Sequence, residues 1–412
     1  MHLSDFASPA FFADPYPVYQ RLRAEGPLPP LEPLPGVFVT GRHDTSEALL
    51  KDRKLGRAYR KGIELRYGAQ RADMPVFNSY ARMLLTNNPP KHTRLRALLM
   101  KAFNMRQLAA IHDLIQRVAD RLIDRLRDPD HGRADLVRDF TLRLPAEVIC
   151  HLLDVPLDDA LQLTDATRSQ SQALDLAPMS DAQLDSANRG TLDLEAYFRP
   201  LLAQRRRHPG DDLISLLLTV QEDGEHFTED EIVANVLLLF IAGHETTSGM
   251  IGNALIALQR NPDQLALLKA DPSLMPSAVM ECLRYDSSVQ RVAYGVLEDT
   301  VIEGRPLQRG QLVVIFVGSA NRDPERFERA DALDIRRPAD SRPMSFGGGV
   351  HYCLGARLAA MEIEVALSSL LGRLPDLQIE QVDALRWLQR NTLRGVEALP
   401  VRWNAGSGER LS

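Results

Sequence analysis

Residues 346–355, FGGGVHYCLG, place a single cysteine, Cys353, at the end of a glycine-rich loop. The residues that follow, LGARLAAMEIEVALSSLLGRL, are apolar at helical spacing over about five turns, so Cys353 lies at or just before the start of a helix. The first N–H groups of a helix have no partner within it and carry the positive end of its dipole. These groups favour a thiolate over a thiol, and the glycines let the backbone approach a flat ligand closely.

The spacing of Phe346, Gly349, Cys353 and Gly355 resembles the F-x-x-G-x-x-x-C-x-G loop of the cytochrome P-450 family of haem-thiolate monooxygenases. The resemblance implies that Cys353 is the axial ligand of the iron of a haem b. Two plainer interpretations compete with it, a buried structural cysteine and a phosphate-binding loop. The second lacks the Gly-Lys-Ser/Thr ending that such a loop requires.

A second segment, residues 228–259, predicts a helix of about 45 Å that is long enough to cross a whole core. Thr228 and Glu231 form a capping-box pattern at its start, ahead of an apolar run. The middle of this helix reads AGHETT over residues 242–247.

The AGHETT segment resembles the family's A/G-G-x-D/E-T pattern. By that resemblance, Ala242 and Gly243 leave room for O2, while Glu245 and Thr246 handle protons and are the catalytic residues. Without the cysteine loop, the same polar residues would more simply satisfy one another inside the core.

Residues 87–96, NNPPKHTRLR, predict the start of a helix with an asparagine cap and proline in the first turn. They resemble the family's D-P-P-x-H-T-x-x-R stretch, whose histidine and arginine contact the haem propionates, with Asn88 in place of aspartate. From the residue pattern alone, a histidine and an arginine on one helix face would be surface residues. The resemblance assigns propionate contacts to His92, Arg96, Arg291 and His351.

Glu281 and Arg284 lie one helical turn apart and match the family's E-x-x-R pair. Such a pair could be an ordinary surface ion pair. In the family it is buried and structural, and a later arginine completes it. Of two candidates, Arg326 and Arg337, the second is preferred because NRDPERF resembles a segment upstream of the third position.

The resemblance also predicts where the substrate binds. It places the mobile lid of the pocket around residues 163–184. Arg357, one turn beyond Cys353, is expected to help receive an electron donor; an ordinary solvent-exposed arginine would have the same sequence pattern. The side chains expected to line the pocket are Leu238, Val289, Gln290, Val292 and Leu393.

Residues 51–82 carry nine Lys/Arg against three acidic residues in a chain whose net charge is -6. Such a run is usually only a solvated face. In the family this stretch precedes or includes the roof of the pocket. The sequence therefore supports the hypothesis that the substrate, or a carrier that delivers it, is anionic.

Composition excludes several other classes of protein. A net charge of -6 does not favour nucleic-acid binding. The three cysteines, Cys150, Cys282 and Cys353, are odd in number and far apart, which argues against a disulfide framework or a zinc site and fits a reducing cytoplasm. The N-terminal residues do not form a signal peptide or anchor pattern, so no membrane attachment is expected.

The resemblance covers nearly the whole chain and implies a mainly α fold with small β-sheets. It predicts one domain over residues 1–412, with β-containing parts at about 30–45, 289–320 and 375–403 and a frayed tail from residue 404. A long central helix would lie over the haem and the helix after Cys353 beneath it.

The function implied by this resemblance is insertion of one oxygen atom from O2 into a hydrophobic small molecule, by hydroxylation or epoxidation. Electrons would come from a ferredoxin and its NAD(P)H-dependent reductase, and a monomer is expected. Alternatives are a peroxide-driven peroxygenase or an isomerase on the same fold and, from another class, a haem-based gas sensor. Intact Glu245 and Thr246 favour O2 activation.

Overall fold

Helices form most of the protein, as predicted, in a computed structural model that describes residues 1–103, 105–127, 132–176, 178–338 and 342–404. All of the predicted tail except Asn404 lies outside these residues. The α-helices are α1 (Pro9–Ala13), α2 (Tyr16–Ala24), α3 (His43–Lys51), α4 (Tyr59–Tyr67), α5 (Pro75–Arg82), α6 (Lys91–Ala102), α7 (Met105–Arg127), α8 (Arg143–Leu153), α9 (Ala160–Ser171), α10 (Asp181–Arg207), α11 (Leu213–Thr219), α12 (Glu229–Arg260), α13 (Pro262–Ala270), α14 (Met275–Tyr285), α15 (Val317–Ala320) and α16 (Ala356–Arg373).

Three small sheets lie among these helices. The strands are β1 (Val37–Thr40), β2 (Leu55–Gly56), β3 (Arg133–Asp135), β4 (Val292–Val296), β5 (Thr300–Ile302), β6 (Arg305–Leu307), β7 (Leu312–Ile315), β8 (Gln378–Ile379) and β9 (Pro400–Arg402). One sheet has the order β1-β7-β4-β2, the second has the order β3-β9-β8, and β5 pairs with β6. In the first, β1 runs parallel to β7, whereas β4 is antiparallel to both of its neighbours.

Strands β2 and β3 lie outside the β-containing parts predicted from the sequence. Each has only two or three residues, too few for an alternating pattern to be visible. The others, β1 and β4 to β9, lie within those parts.

The long helix α12 begins with the predicted capping box. The Glu231 N–H donates to the Thr228 hydroxyl at 3.2 Å, and the Thr228 N–H donates to the Glu231 carboxylate at 3.0 Å. Residues 232–241 pack into one apolar cluster with α5, α6 and α8 to α11, and residues 250–258 pack into another with α7, α14 and α16. The polar segment 242–247 therefore falls between the two halves of the core.

Helix α12 is also long and apolar enough to cross a membrane, the one such helix in the described parts of the chain. However, 67% of its apolar window is buried inside the protein. Its composition is therefore explained by its place in the core.

Helix α6 begins differently from the prediction. Pro90 precedes it and no side chain caps it. The Asn88 amide instead bonds the backbone of Arg57, accepting from its N–H at 2.6 Å and donating to its carbonyl at 2.9 Å. The predicted cap thus holds another segment against the start of α6.

Candidate active site

The cysteine loop is folded back on itself so that one thiol is presented outside the core. The Cys353 N–H donates to the Phe346 carbonyl at 2.9 Å, and α16 begins three residues later at Ala356. Gly349 has a φ of 59°, and a Cβ there would overlap the Leu50 carbonyl oxygen. Cys353 is exposed, whereas the other two cysteines are fully buried.

The charge on this thiol is set by opposing effects. The residue is accessible, but protein surrounds the sulfur on most sides, and this desolvation raises the pKa of Cys353. The Gly355 N–H and the Arg96 charge act in the opposite direction without reversing the shift. The helix-start stabilisation predicted from the sequence is therefore present but insufficient, and a bound metal ion would supply the rest, because a coordinated thiol loses its proton.

Two predicted propionate ligands, His92 and His351, meet beside the cysteine loop. Their rings lie 4.4 Å apart, edge to face. Arg96, one turn along α6 from His92, donates to the Tyr352 carbonyl at 2.9 Å and so connects α6 to the residue before Cys353. His351 Nε2 is buried and, within the described residues, has no hydrogen-bond partner.

Both imidazoles are neutral near pH 7. Burial first, and then the neighbouring positive charges, lower the pKa of His92 to about 4 and that of His351 to about 3. The positive charge of Arg96 and the N–H groups of the two neutral imidazoles can together bind carboxylates. The accessible thiol of Cys353 lies next to these donors. This donor set fits a haem, which carries two carboxylates and an iron that accepts a thiolate.

Arg291, the fourth predicted propionate donor, is bonded to other parts of the chain. It is buried, with its Nε donating to Asn391 Oδ1 at 3.0 Å and an Nη donating to the Leu174 carbonyl at 2.6 Å. Tyr294, three residues along the same extended segment, has its ring 6.0 Å from that of His351. Because side chains alternate between the two sides of a strand, residues three apart face opposite ways.

The middle of α12 has an accessible face, although the stretches on either side of it are mostly buried. Ala242 is exposed and Gly243 and Thr246 are half-buried, while His244 is fully buried. The Thr246 hydroxyl donates to the Ala242 carbonyl, one turn earlier, at 2.6 Å. The segment AGHETT thus presents Ala242 and the Thr246 hydroxyl, one turn apart, on the same face, whereas Gly243 packs against Ile149 of α8.

Glu245 is held by arginines that the sequence analysis did not identify. Its carboxylate lies 3.1 Å from an Nη of Arg390 and 3.8 Å from Nε of Arg168. Arg390 also contacts Asp175 at 2.9 Å. The only sequence signal for Arg390 was that it lies three residues before Leu393, a predicted pocket residue.

A buried glutamate on α16 connects the cysteine-bearing helix to α12. Glu362 interacts with the hydroxyl of Thr247, the residue after Thr246, while its Oε1 is buried and has no hydrogen-bond partner among the described residues. Burial raises the pKa of Glu362 to about 8, and the Thr247 hydroxyl opposes the shift only in part. This glutamate is therefore largely protonated at neutral pH, which makes it compatible with its apolar surroundings.

Of the predicted pocket residues, the structure brings two together, and it bonds the side chain of a third to other parts of the protein. Val289 and Leu393 pair across an isolated antiparallel bridge. Leu238 is buried on α12, and Val292 packs on the apolar cluster around β4 and β7. The Gln290 side chain is also buried, but it accepts from the Tyr19 hydroxyl at 2.7 Å and donates to the Ser287 carbonyl at 2.6 Å. Its amide therefore serves the core instead of a ligand.

The predicted lid corresponds to most of α9, the start of α10 and the connection between them, except residue 177, which lies outside the described residues. Three arginines, Arg66, Arg291 and Arg390, bond the connection at residues 171–175. Asp175 accepts from the Thr392 N–H at 3.2 Å. The lid is thus fastened to the turn that contains Leu393.

Glu281, Arg284 and Arg337 form a buried cluster. Glu281 receives two bonds of 2.8 Å from Arg284 and one of 3.1 Å from Arg337. The three side chains are exposed by 2%, 0% and 9%. Arg284 also donates to the Asn321 carbonyl at 2.9 Å, and the Asn321 side chain bonds Met344 N at 2.7 Å, two residues before the cysteine loop.

Known proteins resemble the chain over almost its full length. The family model for cytochrome P-450 matches residues 63–271 and 269–384. Cytochrome P-450 133B1 of Xylella fastidiosa (strain 9a5c) is 46% identical over 405 residues, which are 98% of this chain and 100% of that protein. The cytochrome P-450 monooxygenase PikC of Streptomyces venezuelae is 36% identical over 404 residues, 96% of this chain and 92% of that protein.

Solved structures have the same fold. The structure of P-450BioI in complex with hexadec-9Z-enoic acid ligated acyl carrier protein superposes with a TM-score of 0.89 at 33% identity, covering 96% of this chain and 100% of that one. These similarities cover at least 96% of this chain and therefore include far more than the residues of the site.

Proposed function

The chain belongs to the cytochrome P-450 family of haem-thiolate monooxygenases, and on that premise we propose that it inserts one atom of O2 into a hydrophobic small molecule. The observation that carries the proposal is the accessible thiol of Cys353 beside an imidazole pair and Arg96. The accessible face of α12 at Ala242 and Thr246 supplies the second half of the proposed site. Hydroxylation is the favoured outcome, with epoxidation as the alternative.

Each proposed residue has a role that follows from its chemistry. Cys353 is the iron ligand, and haem bound there would supply O2 activation and oxygen-atom transfer. His92, Arg96 and His351 hold the propionates through N–H donors. Thr246, with its hydroxyl on the accessible face of α12, passes protons toward the site.

Glu245 is proposed as the group that supplies those protons. Arg390 contacts both Glu245 and Asp175, and Asp175 lies in the connection between α9 and α10 that belongs to the predicted lid. A carboxylate shared with arginines can exchange partners, so rotation of Glu245 would connect bulk water to Thr246. Opening of the lid would then alter proton supply as well as substrate entry.

The electron donors are proposed to be a ferredoxin and its NAD(P)H-dependent reductase, in the cytoplasm. Arg357, exposed on the first turn of α16 and four residues from Cys353, is a candidate contact for an acidic donor. Positive charge at the cysteine side of the protein would steer such a partner and make its association depend on salt.

Purified protein, a ferredoxin system, O2 and a library of hydrophobic metabolites test the proposal. A monooxygenase consumes NAD(P)H in a substrate-dependent way and forms an oxygenated product. A peroxygenase would form the same product from peroxide at full rate without reductant. A gas sensor would bind diatomic ligands and form no product.

Thr246→Ala should leave haem and substrate binding intact but lower the yield of product per NAD(P)H by about tenfold or more, since it removes a proton-transfer hydroxyl. Electrons would appear as hydrogen peroxide instead. The measurement is product and peroxide per NAD(P)H consumed. Thr246→Ser, which keeps a hydroxyl, is the matched variant, and equal coupling in Thr246→Ala and wild type would remove Thr246 from the relay.

We further propose that the substrate carries an anionic end, either free or on a carrier. Part of the positive charge in residues 51–82 is paired at the surface, since Arg60 pairs with Asp73 at 2.7 Å and Arg71 with Asp181 at 2.7 Å. Lys61 is exposed and lines a cavity with Tyr59 and Thr86. A related protein, P-450BioI, was solved with a fatty acid ligated to an acyl carrier protein, which is consistent with an acidic delivery partner.

A carboxylic acid should bind more tightly than its methyl ester by a few-fold, since exposed charge pairs contribute about 0.2–1 kcal/mol. Spectral titration of long-chain acids and their esters measures this difference. Lys61→Gln should reduce the preference, and raised salt should reduce it in the wild type. Equal affinities for acid and ester at low salt would contradict the proposal.

A further inference from the structure

Arg57 reaches the imidazole pair from a part of the chain that no family pattern assigned to it. It follows β2, and its guanidinium lies 4.4 Å over the ring of Tyr294, which in turn contacts the His351 ring. Its charge helps to lower the pKa of His92. A fixed positive charge therefore lies beside the two proposed propionate ligands.

The backbone of Arg57 is held in place by Asn88. One carboxamide pairs with both the N–H and the carbonyl of Arg57, at 2.6 and 2.9 Å. The preceding residue, Gly56, allows this approach, because a Cβ there would overlap the Asn88 side chain. An aspartate at position 88 could accept from the N–H but could not donate to the carbonyl. Asparagine in place of the family's aspartate at position 88 thus allows two hydrogen bonds to the backbone of Arg57.

The guanidinium of Arg57 has unused hydrogen-bonding capacity. An Nη donates to the Ala293 carbonyl at 3.0 Å, but Nε is buried and has no partner in the described parts of the chain. Within those parts Arg57 also forms no ion pair. A buried donor without a partner is costly, and a guanidinium with five N–H groups pairs most favourably with a carboxylate.

We propose that Arg57 binds a haem propionate, taking the place that the sequence pattern assigned to Arg291. The proposal rests on the proposed function, because it presupposes haem bound through Cys353. Arg291 is committed to Asn391 and Leu174, whereas Arg57 adjoins the cluster that contains His92 and His351. Asn88 acts as a positioning residue for it.

The test compares haem dissociation from wild type, Arg57→Gln and Arg57→Lys, measured by transfer to excess apomyoglobin. Arg57→Gln should release haem at least about tenfold faster, as expected for a lost charge-assisted hydrogen bond, and Arg57→Lys should be intermediate. Arg53→Gln removes an exposed arginine from the same basic segment and should dissociate like the wild type. Asn88→Asp should show a smaller acceleration than Arg57→Gln.

Reconstitution with haem dimethyl ester separates a propionate contact from a general structural role. With both propionates esterified, Arg57→Gln and wild type should release the ligand at similar rates. If Arg57→Gln accelerates release equally for haem and its ester, or matches Arg53→Gln for haem, the proposal is overturned. Wild type that does not bind haem through a thiolate would instead overturn the proposed function.

Discussion

Cys353→Ala is expected to abolish both the thiolate-type spectrum of the reduced carbonyl complex and all product formation. Of the three cysteines, only Cys353 is exposed; Cys150 and Cys282 are fully buried. Their thiols are also held protonated, since burial raises the pKa of Cys150 to about 12 and raises that of Cys282 further. Neither can substitute for Cys353 as a metal ligand.

The same substitution should barely change the stability of the haem-free protein. The Cys353 side chain is exposed, and the loop is held by the bond from the backbone N–H of residue 353 to Phe346 and by Gly349, both of which the substitution leaves in place. Urea unfolding of the two apoproteins measures this. Cys150→Ala is the matched variant: it should retain spectrum and activity while losing about 1 kcal/mol of stability for a small buried side chain. A thiolate spectrum in Cys353→Ala would refute the ligand assignment.

Local patterns were enough for the parts of the site that lie within one segment. The capping box at Thr228 predicted the start of α12, and the apolar periodicity after the glycine-rich loop placed Cys353 just before α16. These features depend on neighbours three or four residues away, so the sequence displays them directly. Of the nine strands in the described residues, only β2 and β3 lie outside the β-containing parts predicted from the sequence.

Arg291 shows that local patterns do not determine the direction of a side chain on a strand. It lies just before β4, within a predicted β-containing part, but the direction of its side chain depends on strand register, and a shift of one residue reverses the face. In the structure Tyr294 faces His351 and Arg291 faces Asn391. A count of residues along an irregular turn into a strand does not determine which of the two faces a residue occupies.

Arg57 and Arg390 show a second limit of prediction from local sequence patterns, which is contact between residues far apart in the chain. Each acts through partners far away in sequence: Arg57 bonds the backbone at Ala293, and Arg390 contacts Glu245 and Asp175. Periodicity contains no information on such pairings. The only signals were the basic excess around residue 57 and the unusual Asn88, and both became interpretable once the fold brought the segments together.

The second large effect is expected from Glu281→Gln, which should lower the free energy of unfolding by about 3–5 kcal/mol. Glutamine keeps the size of the side chain but leaves the buried charges of Arg284 and Arg337 without their carboxylate. Arg284 also holds the Asn321 carbonyl, and Asn321 bonds Met344 N and the Ser345 hydroxyl just before the cysteine loop. Loss of stability should therefore be accompanied by faster haem release, although Glu281 does not contact the proposed haem site.

Glu298→Gln is the matched variant for this prediction, because it removes a carboxylate from an exposed turn in the same part of the chain. Surface substitutions of that kind change stability by about 0.5 kcal/mol or less. Urea denaturation of the haem-free proteins isolates the effect on the fold, and haem transfer from the loaded proteins measures the effect on the loop. Arg337→Lys, at the more exposed edge of the cluster, should fall between the two. If Glu281→Gln and Glu298→Gln unfold at the same urea concentration, the buried cluster does not stabilise the fold, and the connection from Arg284 through Asn321 to the cysteine loop has no energetic basis.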